Sequence, residues 1–285
     1  MGVRGLLEAA LFPPVRLDRE RLRERLKGRT VVITGASFGI GRGVALLAAE
    51  AGARVVLAAR TVETPEAVAA ECRSFGGEAL VFAADLTQAD QAEDLAARLA
   101  ALDGGVDVLV NNAGKSIRRS LWDSLDRFHD VTRTIGVNYL GPTRLALALI
   151  PTLRARGGQI VSISAVNVLL PAPPMWAAYQ ASKSAADQWL RCAAPELRSA
   201  GVAVTTLYLP LVRTRMIAPT AHYADAPAMA PEQASRLVAR AILGRWSHWA
   251  PWWSPFATLT APLLRRTAEA VFAWQMRRRL EARTQ

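Results

Sequence analysis

Cysteine and histidine are scarce in this chain of 285 residues, and their scarcity excludes two kinds of protein. The two cysteines, Cys72 and Cys192, are too few for a disulfide framework, and neither belongs to a metal-ligand spacing. The three histidines are far apart in sequence, at His129, His222 and His248. We therefore expect no metal site and a protein of the reducing cytoplasm.

Long apolar runs are also missing. No uninterrupted apolar stretch reaches the roughly 18–20 residues that a membrane-spanning helix needs. The net charge of +11 is concentrated at the ends, since residues 1–29 contain eight basic and four acidic side chains, and residues 240–285 contain eight and two. We see no nucleic-acid recognition motif and expect no such partner. Basic ends that also carry apolar residues favour peripheral contact with an anionic membrane surface.

What the chain does contain is a regular alternation of strand and helix patterns between residues 30 and 209. Short, mainly aliphatic stretches such as 30–33 and 54–59 alternate with longer helical patterns. This alternation predicts an α/β fold, namely one doubly wound, Rossmann-type parallel sheet with helices on both faces. We predict this domain at 28–250, with basic helical extensions at 1–27 and 251–285.

Two further segments carry structural expectations. The helical pattern at 125–156 is expected to be broken near Gly136 and Gly141. The segment 213–230, rich in Ala and Pro, is expected to form a loop or lid.

A glycine-rich turn joins the first strand to its helix. The sequence T-G-A-S-F-G-I-G occupies residues 34–41, directly after a buried strand. Glycines permit a tight turn and a close backbone approach, and a helix N-terminus supplies free N–H groups for a pyrophosphate. The spacing is not G-x-G-x-x-G. An ordinary glycine turn is the alternative.

The second strand ends at Arg60, where an acidic residue is missing. An NAD site usually has an acid about 20 residues beyond the glycines, to bind the ribose 2′-OH. Here the residues are Ala59-Arg60-Thr61. An arginine suits a 2′-phosphate, which favours NADP(H) over NAD(H). A solvent-exposed arginine at a strand end is the alternative.

Tyr179 and Lys183 lie four residues apart in a helical pattern, so their side chains share one face. A nearby cation favours the phenolate and lowers the tyrosine pKa. The pair is therefore a candidate general acid/base. Alone it also fits an ordinary solvated helix face.

Four motifs follow one another and together resemble the short-chain dehydrogenase/reductase family over residues 28–245. They are T-G-x-x-x-G-x-G at 34–41, N-N-A-G at 111–114, Asn138 in V-N-Y-L-G, and Y-x-x-x-K at 179–183. The resemblance implies that Tyr179 is the acid/base at the substrate oxygen. It implies that Lys183 binds the nicotinamide ribose and lowers the Tyr179 pKa, and that Asn138 holds a water in a proton relay.

The same resemblance implies a cofactor-binding set and an oligomer. The pyrophosphate and ribose would contact Gly35, Ser37, Gly39, Ile40 and Gly41. The adenine would lie beside Asp85 and Leu86, and the nicotinamide half beside Asn112, Ala113 and Gly114. The segment that closes over the nicotinamide would contain Pro210, Leu211, Val212 and Thr214. A dimer or tetramer would form through the helices after Asn138 and around Lys183.

One position departs from the family pattern, which places a catalytic serine after this strand. Counted forward along the strand, the position is Ala165; counted back from Tyr179, it is Val166. Ser164 is the nearest hydroxyl, and we predict that it takes the catalytic role. Its side chain can point to the wrong face, because neighbours on a strand alternate. Asn167 as the donor and an empty role are the alternatives.

Two segments carry a finer resemblance, at 112–120 with 126–130 and at 209–220. They resemble the reductase domain of bacterial fatty acyl-CoA reductases, which implies a lipophilic substrate such as a long-chain aldehyde or acyl thioester. A steroid-like or other bulky ketone or alcohol is the alternative substrate, and a weakly catalytic NADP-binding membrane protein is the alternative class. Arg118 and Arg119 either meet a CoA phosphate or lipid headgroup or form structural ion pairs.

The C-terminal segment combines tryptophan with arginine, including Trp252, Trp253 and Trp274 with arginines at 265, 266 and 277–279. It is expected to be helical. It either lies on a membrane as an amphipathic helix or packs over the substrate pocket or a partner subunit.

Overall fold

A computed structural model of the chain describes residues 3–218, 220, 223 and 225–284. Pro219 and His222, which belong to the predicted loop and the histidine count, lie outside the described residues. Within this part the chain forms a seven-stranded parallel sheet of order β3-β2-β1-β4-β5-β6-β7. The strands are β1 (Thr30–Thr34), β2 (Arg54–Ala59), β3 (Ala79–Ala83), β4 (Val108–Asn111), β5 (Gln159–Ala165), β6 (Ala203–Leu209) and β7 (His248–Trp249).

Helices cover both faces of the sheet, which confirms the predicted doubly wound architecture. Those connecting the strands are α3 (Gly39–Glu50), α4 (Glu63–Arg73), α5 (Ala89–Ala100), α6 (Phe128–Ile135), α7 (Gly141–Ala155), α8 (Ala177–Ser199) and α9 (Pro231–Gly244). Alternate strand residues face opposite layers, because side chains on a strand have a period of two. Val31 and Ile33 pack toward α3 and α9, whereas Val32 packs toward α5 and α7.

The order of strands reverses direction between β1 and β4. From β1 the chain continues outward to β2 and β3, and then returns to β4 on the other side of β1. The carboxyl ends of the strands at such a switch point form the crevice in which open α/β sheets bind ligands. The turns at 35–41 and 111–114 both begin at this crevice.

The helical region at 125–156 is not broken as expected. A π-helical turn, Gly136–Leu140, connects α6 to α7 and keeps the helix continuous. A π-turn contains one residue more than the α-helical pattern needs and is frequent at functional sites. Gly136 and Gly141 permit close packing here, since a Cβ on Gly141 would lie 2.7 Å from Leu86 Cβ.

Both predicted terminal extensions are helical. They consist of α1 (Val3–Leu11) and α2 (Arg19–Leu26) at one end and α10 (Ser254–Thr284) at the other. Leu22 and Leu26 of α2 are buried in the core, so α2 is packed on the sheet layer that contains α3 and α9. The division at residues 27 and 250 stays a prediction.

The C-terminal helix α10 exposes an apolar face. Phe256, Leu259 and Leu263 are 70%, 76% and 83% exposed, and Trp274 is exposed on the same side. Among the described helices, none is both long enough and apolar enough to cross a membrane.

Candidate active site

The glycine turn after β1 contains three positions at which a side chain would clash with neighbouring atoms or strain the backbone. Gly35 has φ +66°, and a Cβ there would lie 2.8 Å from Ala113 Cα. A Cβ on Gly41 would overlap the Gly35 carbonyl oxygen, and Gly39 has φ +55°. Non-glycine residues avoid such positive φ values and such contacts. The three glycines are therefore required by the shape of the turn itself.

The N-terminus of α3 faces the same crevice. Phe38 occupies the N-cap position, and no described side chain caps the helix there. The first N–H groups of a helix have no partner inside it and carry a partial positive charge. An uncapped N-terminus behind a glycine turn fits the pyrophosphate of a dinucleotide.

The turn at 111–114 is tied to the end of β1 by hydrogen bonds. The backbone N–H groups of Asn112 and Ala113 both donate to Thr34 Oγ1 at 3.0 Å. Asn112 Nδ2 donates to the carbonyl oxygens of Thr34 and Gly35 at 2.9 and 3.0 Å. The Asn112 side chain is therefore occupied in fixing the glycine turn, and it leaves the backbone of the 111–114 turn to line the crevice.

The π-helical turn places Asn138 in the interior behind this crevice. Asn138 Oδ1 accepts from Lys115 N, and its Nδ2 donates to Lys115 O, both at 2.9 Å. Nδ2 also donates to Ser182 Oγ at 2.8 Å. Asn138 thus joins the segment after β4 to α8, where its partner Ser182 directly precedes Lys183.

Lys183, on α8, lies beside the same crevice, and Tyr179 lies one helical turn before it. Lys183 Nζ donates to Ile163 O at 2.8 Å, and a Cβ on Gly114 would be 3.6 Å from Nζ. Burial lowers the pKa of Lys183 to about 8. Burial, with a smaller contribution from Tyr223, raises the pKa of Tyr179 to about 12.

The expected lowering of the Tyr179 pKa is wrong for this structure. The reason is that burial disfavours the phenolate, while the Lys183 ammonium is engaged by the Ile163 carbonyl. At neutral pH Tyr179 is a neutral phenol, which is a proton donor. Lys183 remains largely charged, because its pKa of about 8 is still above 7.

Ser164 and Ser162 lie on the same face of β5, and Ala165 lies on the opposite face. Ser164 Oγ and Asn111 Oδ1 are buried, and neither has a partner in the described part of the chain. Both residues line an internal cavity of about 20 Å³ together with Lys183 and Asn138. A space of that size holds one water molecule, which would satisfy two such buried polar atoms.

The predicted adenine and phosphate residues occupy the carboxyl ends of β2 and β3. Arg60 is exposed at the end of β2. Asp85 Oδ1 accepts from Thr87 N at 2.9 Å, and Leu86 is buried against Gly141, the first residue of α7. The Asp85 carboxylate therefore fixes its own turn, and the exposed Arg60 is a cation at this edge.

The segment after β6 lies over the glycine turn. Val212 pairs with Met229, and Thr214 Cγ2 would be 3.0 Å from a Cβ on Gly39. The Arg215 guanidinium stacks 3.8 Å above the Phe38 ring. Pro210 and Leu211 lead directly into this contact. Thr214 and Arg215, at the beginning of the loop expected at 213–230, thereby contact the predicted cofactor residue Gly39 and its neighbour Phe38.

Sequence reasoning missed an aromatic cluster beside Tyr179. Trp176 and Tyr223 stack at 5.9 Å, and Trp176 meets the Tyr179 ring edge-on at 5.8 Å. Trp176 follows the proline-rich loop three residues before Tyr179, which is a usable signal. Tyr223 comes from a distant loop, and no local pattern indicates it. The cluster gives Tyr179 its apolar surroundings.

The two basic residues after the 111–114 turn have different surroundings. Arg119 Nε pairs with Asp130 Oδ2 at 2.9 Å, so Arg119 forms the structural ion pair that was one of its two interpretations. Arg118 lies close enough to Tyr223 to lower the pKa of that phenol against the stronger effect of burial. Arg118 is therefore the cation of this pair that is near the aromatic cluster.

The C-terminal helix approaches the same region. Arg279 Nη1 donates to Met175 Sδ at 3.0 Å, and α10 also touches the short helix at 166–169. Met175 has φ +72°, a strained value for a non-glycine residue, and its carbonyl oxygen accepts from Arg119 N. The inner side of α10 thus packs beside Met175 and the short helix that follows β5.

Comparisons with known proteins agree with this geometry. The family model for short chain dehydrogenases matches residues 29–224. A fatty acyl-CoA reductase of Acinetobacter baylyi is 46% identical over 78% of this chain and 76% of its own length. A fatty acyl-CoA reductase of Mycobacterium tuberculosis is 40% identical over 77% of this chain and 75% of its own length.

Solved structures show the same fold. A metagenomic short-chain oxidoreductase in complex with NADP is 33% identical, with a TM-score of 0.66 over 77% of this chain and 92% of that one. Together with the sheet order, the glycine turn and the Tyr179–Lys183 pair, these matches establish what kind of protein this is. The chain belongs to the short-chain dehydrogenase/reductase family of oxidoreductases.

Proposed function

We propose that this oxidoreductase uses NADP(H) to reduce the carbonyl of a lipophilic substrate, either a long-chain aldehyde or an acyl thioester. The observation that carries the proposal is the half-buried, neutral Tyr179 phenol one helical turn before Lys183 at the carboxyl edge of the sheet. The names of the two fatty acyl-CoA reductases support the substrate class.

The glycine turn and the uncapped α3 N-terminus fit the pyrophosphate, and the residues predicted for the cofactor surround them. We propose that Gly35, Ser37, Gly39, Ile40 and Gly41 hold it, with Asp85 and Leu86 on the adenine side. Asn112, Ala113 and Gly114 with Pro210, Val212 and Thr214 would hold the other half. The nicotinamide, when bound, supplies the hydride.

Tyr179 donates a proton to the carbonyl oxygen in this proposal. A phenol whose pKa is about 12 is fully protonated at pH 7 and can act as a general acid. Lys183 supplies positive charge beside the oxyanion that Tyr179 becomes. Asn138 fixes the segment around Lys115 and holds the water that returns a proton through Lys183.

One assay tests the proposal directly. The purified protein is offered NADPH with a panel of long-chain acyl-CoAs, long-chain aldehydes and bulky ketones, and NADPH oxidation is followed by absorbance. We expect turnover with a long-chain aldehyde or acyl-CoA. Turnover confined to bulky ketones would replace the proposed substrate class, and turnover with none of them would contradict the proposed reaction.

Arg60→Ala is expected to weaken NADPH binding about 10–100-fold, because a charge-assisted hydrogen bond to phosphate contributes about 1.5–3 kcal/mol. Binding of NADH, which has no 2′-phosphate, is expected to change less than about threefold. The two dissociation constants are measured by protein fluorescence quenching. Arg23→Ala, an exposed arginine on α2, is the matched control. Equal weakening of both cofactors would contradict the assignment of Arg60.

We propose that Ser164 takes part in catalysis through the water in the cavity that it shares with Lys183. Ser164→Ala is then expected to lower kcat about tenfold, the effect of one lost hydrogen bond of about 1.4 kcal/mol. Ala165→Ser is expected to leave kcat unchanged or lower. Ser184→Ala, on α8 but outside the cavity lining, is the control. A tenfold gain from Ala165→Ser with no loss from Ser164→Ala would show that the role at position 165 is empty.

We propose that the outer face of α10 contacts an anionic membrane surface. Phe256, Leu259 and Leu263 present apolar area, and neighbouring arginines would meet phospholipid headgroups. The double substitution Leu259→Ser and Leu263→Ser should reduce co-sedimentation with phosphatidylglycerol vesicles at least about tenfold. Each leucine side chain that is buried in the membrane surface contributes about 1.5–3 kcal/mol to the free energy of binding. Val62→Ser with Phe75→Ser, two exposed apolar positions at the other edge of the sheet, is the control. An equal loss of vesicle co-sedimentation in the two double variants would contradict the proposal that this face of α10 contacts the membrane.

We also propose a homodimer or homotetramer built from α7 and α8. Leu140, at the end of the π-turn, and Leu147 of α7 expose apolar surface. Sedimentation velocity measures the mass, and a monomer at micromolar concentration would contradict the proposal.

A further inference from the structure

The segment at 211–218, here called the cofactor loop, contacts the glycine turn through Thr214 and Arg215. Its first residues are fixed by a short parallel pairing, in which Met229 N donates to Leu211 O at 2.8 Å and Arg213 N donates to Met229 O at 3.0 Å. The position of Thr214 over Gly39 therefore depends on what holds Arg213 and the 226–229 segment together.

Glu8 of the N-terminal helix α1 holds both partners of that pairing. Its Oε1 accepts from Arg213 Nη2 at 2.6 Å and from Ala228 N at 3.2 Å. Arg4, one turn earlier on α1, donates to Glu8 Oε1 at 3.3 Å and to Ala226 O at 3.3 Å. A single carboxylate thus joins the beginning of the cofactor loop to the segment with which it pairs.

The helix α1 is itself fixed to the body of the protein. Gln233 Nε2, in the first turn of α9, donates to Phe12 O at 3.2 Å, and Trp252 Nε1 donates to Ala10 O at 3.1 Å. Phe12 and Val15 are buried in the core. Glu8 therefore projects from a supported helix and does not merely follow the loop.

The groups around Glu8 favour the ionised form of its carboxyl group. The hydrogen bond from the Ala228 backbone, assisted by Arg4 and Arg213, lowers the pKa of the Glu8 carboxyl. The carboxylate is consequently ionised at neutral pH, where charge-assisted hydrogen bonds are stronger than neutral ones.

We propose that Glu8 is a positioning residue for the NADP(H) site. Glu8 touches no residue of the glycine turn. It fixes the cofactor loop in the position in which Thr214 contacts Gly39 and Arg215 contacts Phe38. The N-terminal extension, which lies outside the residues matched by the family model, is by this inference part of the cofactor site. The inference rests on the proposed use of NADP(H).

Glu8→Gln tests the proposal, because it keeps the shape of the side chain and removes its charge. We expect the Kd for NADPH to rise about 5–10-fold, which corresponds to one weakened charge-assisted contact. The kcat at saturating NADPH is expected to change less than twofold, because Glu8 does not touch the reacting groups. Glu20→Gln, an exposed glutamate on α2, is the matched control.

Hydrogen–deuterium exchange of the cofactor-free protein gives a second readout. The amides of Arg213, Ala228 and Met229 are expected to exchange at least tenfold faster in Glu8→Gln than in the wild type. The charge reversal Glu8→Arg with Arg213→Glu should restore slow exchange at Arg213 relative to Glu8→Arg alone. Unchanged exchange and unchanged NADPH affinity in Glu8→Gln would overturn the inference. A wild type that binds no NADPH would instead overturn the proposed function, while the exchange experiment would still decide whether Glu8 holds the loop.

Discussion

Tyr179→Phe is expected to lower kcat by about 10²–10⁴-fold while the Kd for NADPH stays within about twofold. The substitution removes one oxygen and leaves the ring, so the edge-on contact with Trp176 survives. The carbonyl oxygen would then have to take its proton from water. Single-turnover NADPH oxidation measures the chemical step, and fluorescence quenching measures the cofactor affinity.

Tyr139→Phe is the matched control for Tyr179→Phe. Tyr139 lies in the π-turn next to Asn138, and no hydrogen bond of the described residues gives its hydroxyl a role in the site. It should retain kcat within about threefold. If Tyr179→Phe lost turnover and cofactor binding together, the phenol would have a structural role; if it kept turnover, another group would be the acid.

Lys183→Met is expected to reduce kcat at least about 10²-fold, since it removes the positive charge beside the developing oxyanion. The same substitution is expected to stabilise the protein. A pKa lowered from 10.5 to about 8 means that folding with Lys183 charged costs about 3 kcal/mol at neutral pH. Methionine avoids this cost but leaves Ile163 O without its hydrogen bond, a loss of about 1–1.5 kcal/mol. The expected net gain is about 1–2 kcal/mol in the free energy of unfolding.

The pH dependence of stability distinguishes this explanation from better packing. Below pH 8 Lys183 is protonated in both the folded and the unfolded chain, and the wild type carries the full cost. As the pH rises from 8 to 10.5 the folded lysine is neutral while the unfolded one still binds a proton, so wild-type stability rises relative to the variant. Urea unfolding at pH 7 and pH 10 measures the difference, with the exposed Lys27→Met as control. A variant advantage that is the same at both pH values would contradict the buried-charge explanation.

Much of the fold and site could be predicted because their signals are local. The run Val31–Ile33 is apolar without interruption, as is typical of a strand buried on both faces, and it leads into a turn that needs glycine at three positions. Tyr179 and Lys183 are joined by helix geometry alone. Topology then brings these separate motifs together, because parallel strands place their carboxyl ends at one edge.

The parts that could not be predicted depend on distant partners. The Tyr179 pKa is set by burial beneath Trp176 and Tyr223, and burial is a property of the folded chain. Nothing in the sequence indicates whether Arg119 contacts a ligand or forms an ion pair with Asp130. Glu8 and Arg213 meet across more than two hundred residues, and neither belongs to a recognisable motif.

The π-turn at Gly136–Leu140 changes the direction in which side chains of the long helix point before and after it. Because an α-helix advances about 100° per residue, the extra residue turns everything after it by roughly that amount relative to everything before it. Asn138 can therefore face the interior while Leu145, Leu149 and Leu153 still face the sheet. Loss of one codon within this turn would leave a regular helix, yet it would rotate either the amide or the leucines out of place. The number of residues in this turn is therefore fixed by the need to place both sets of side chains.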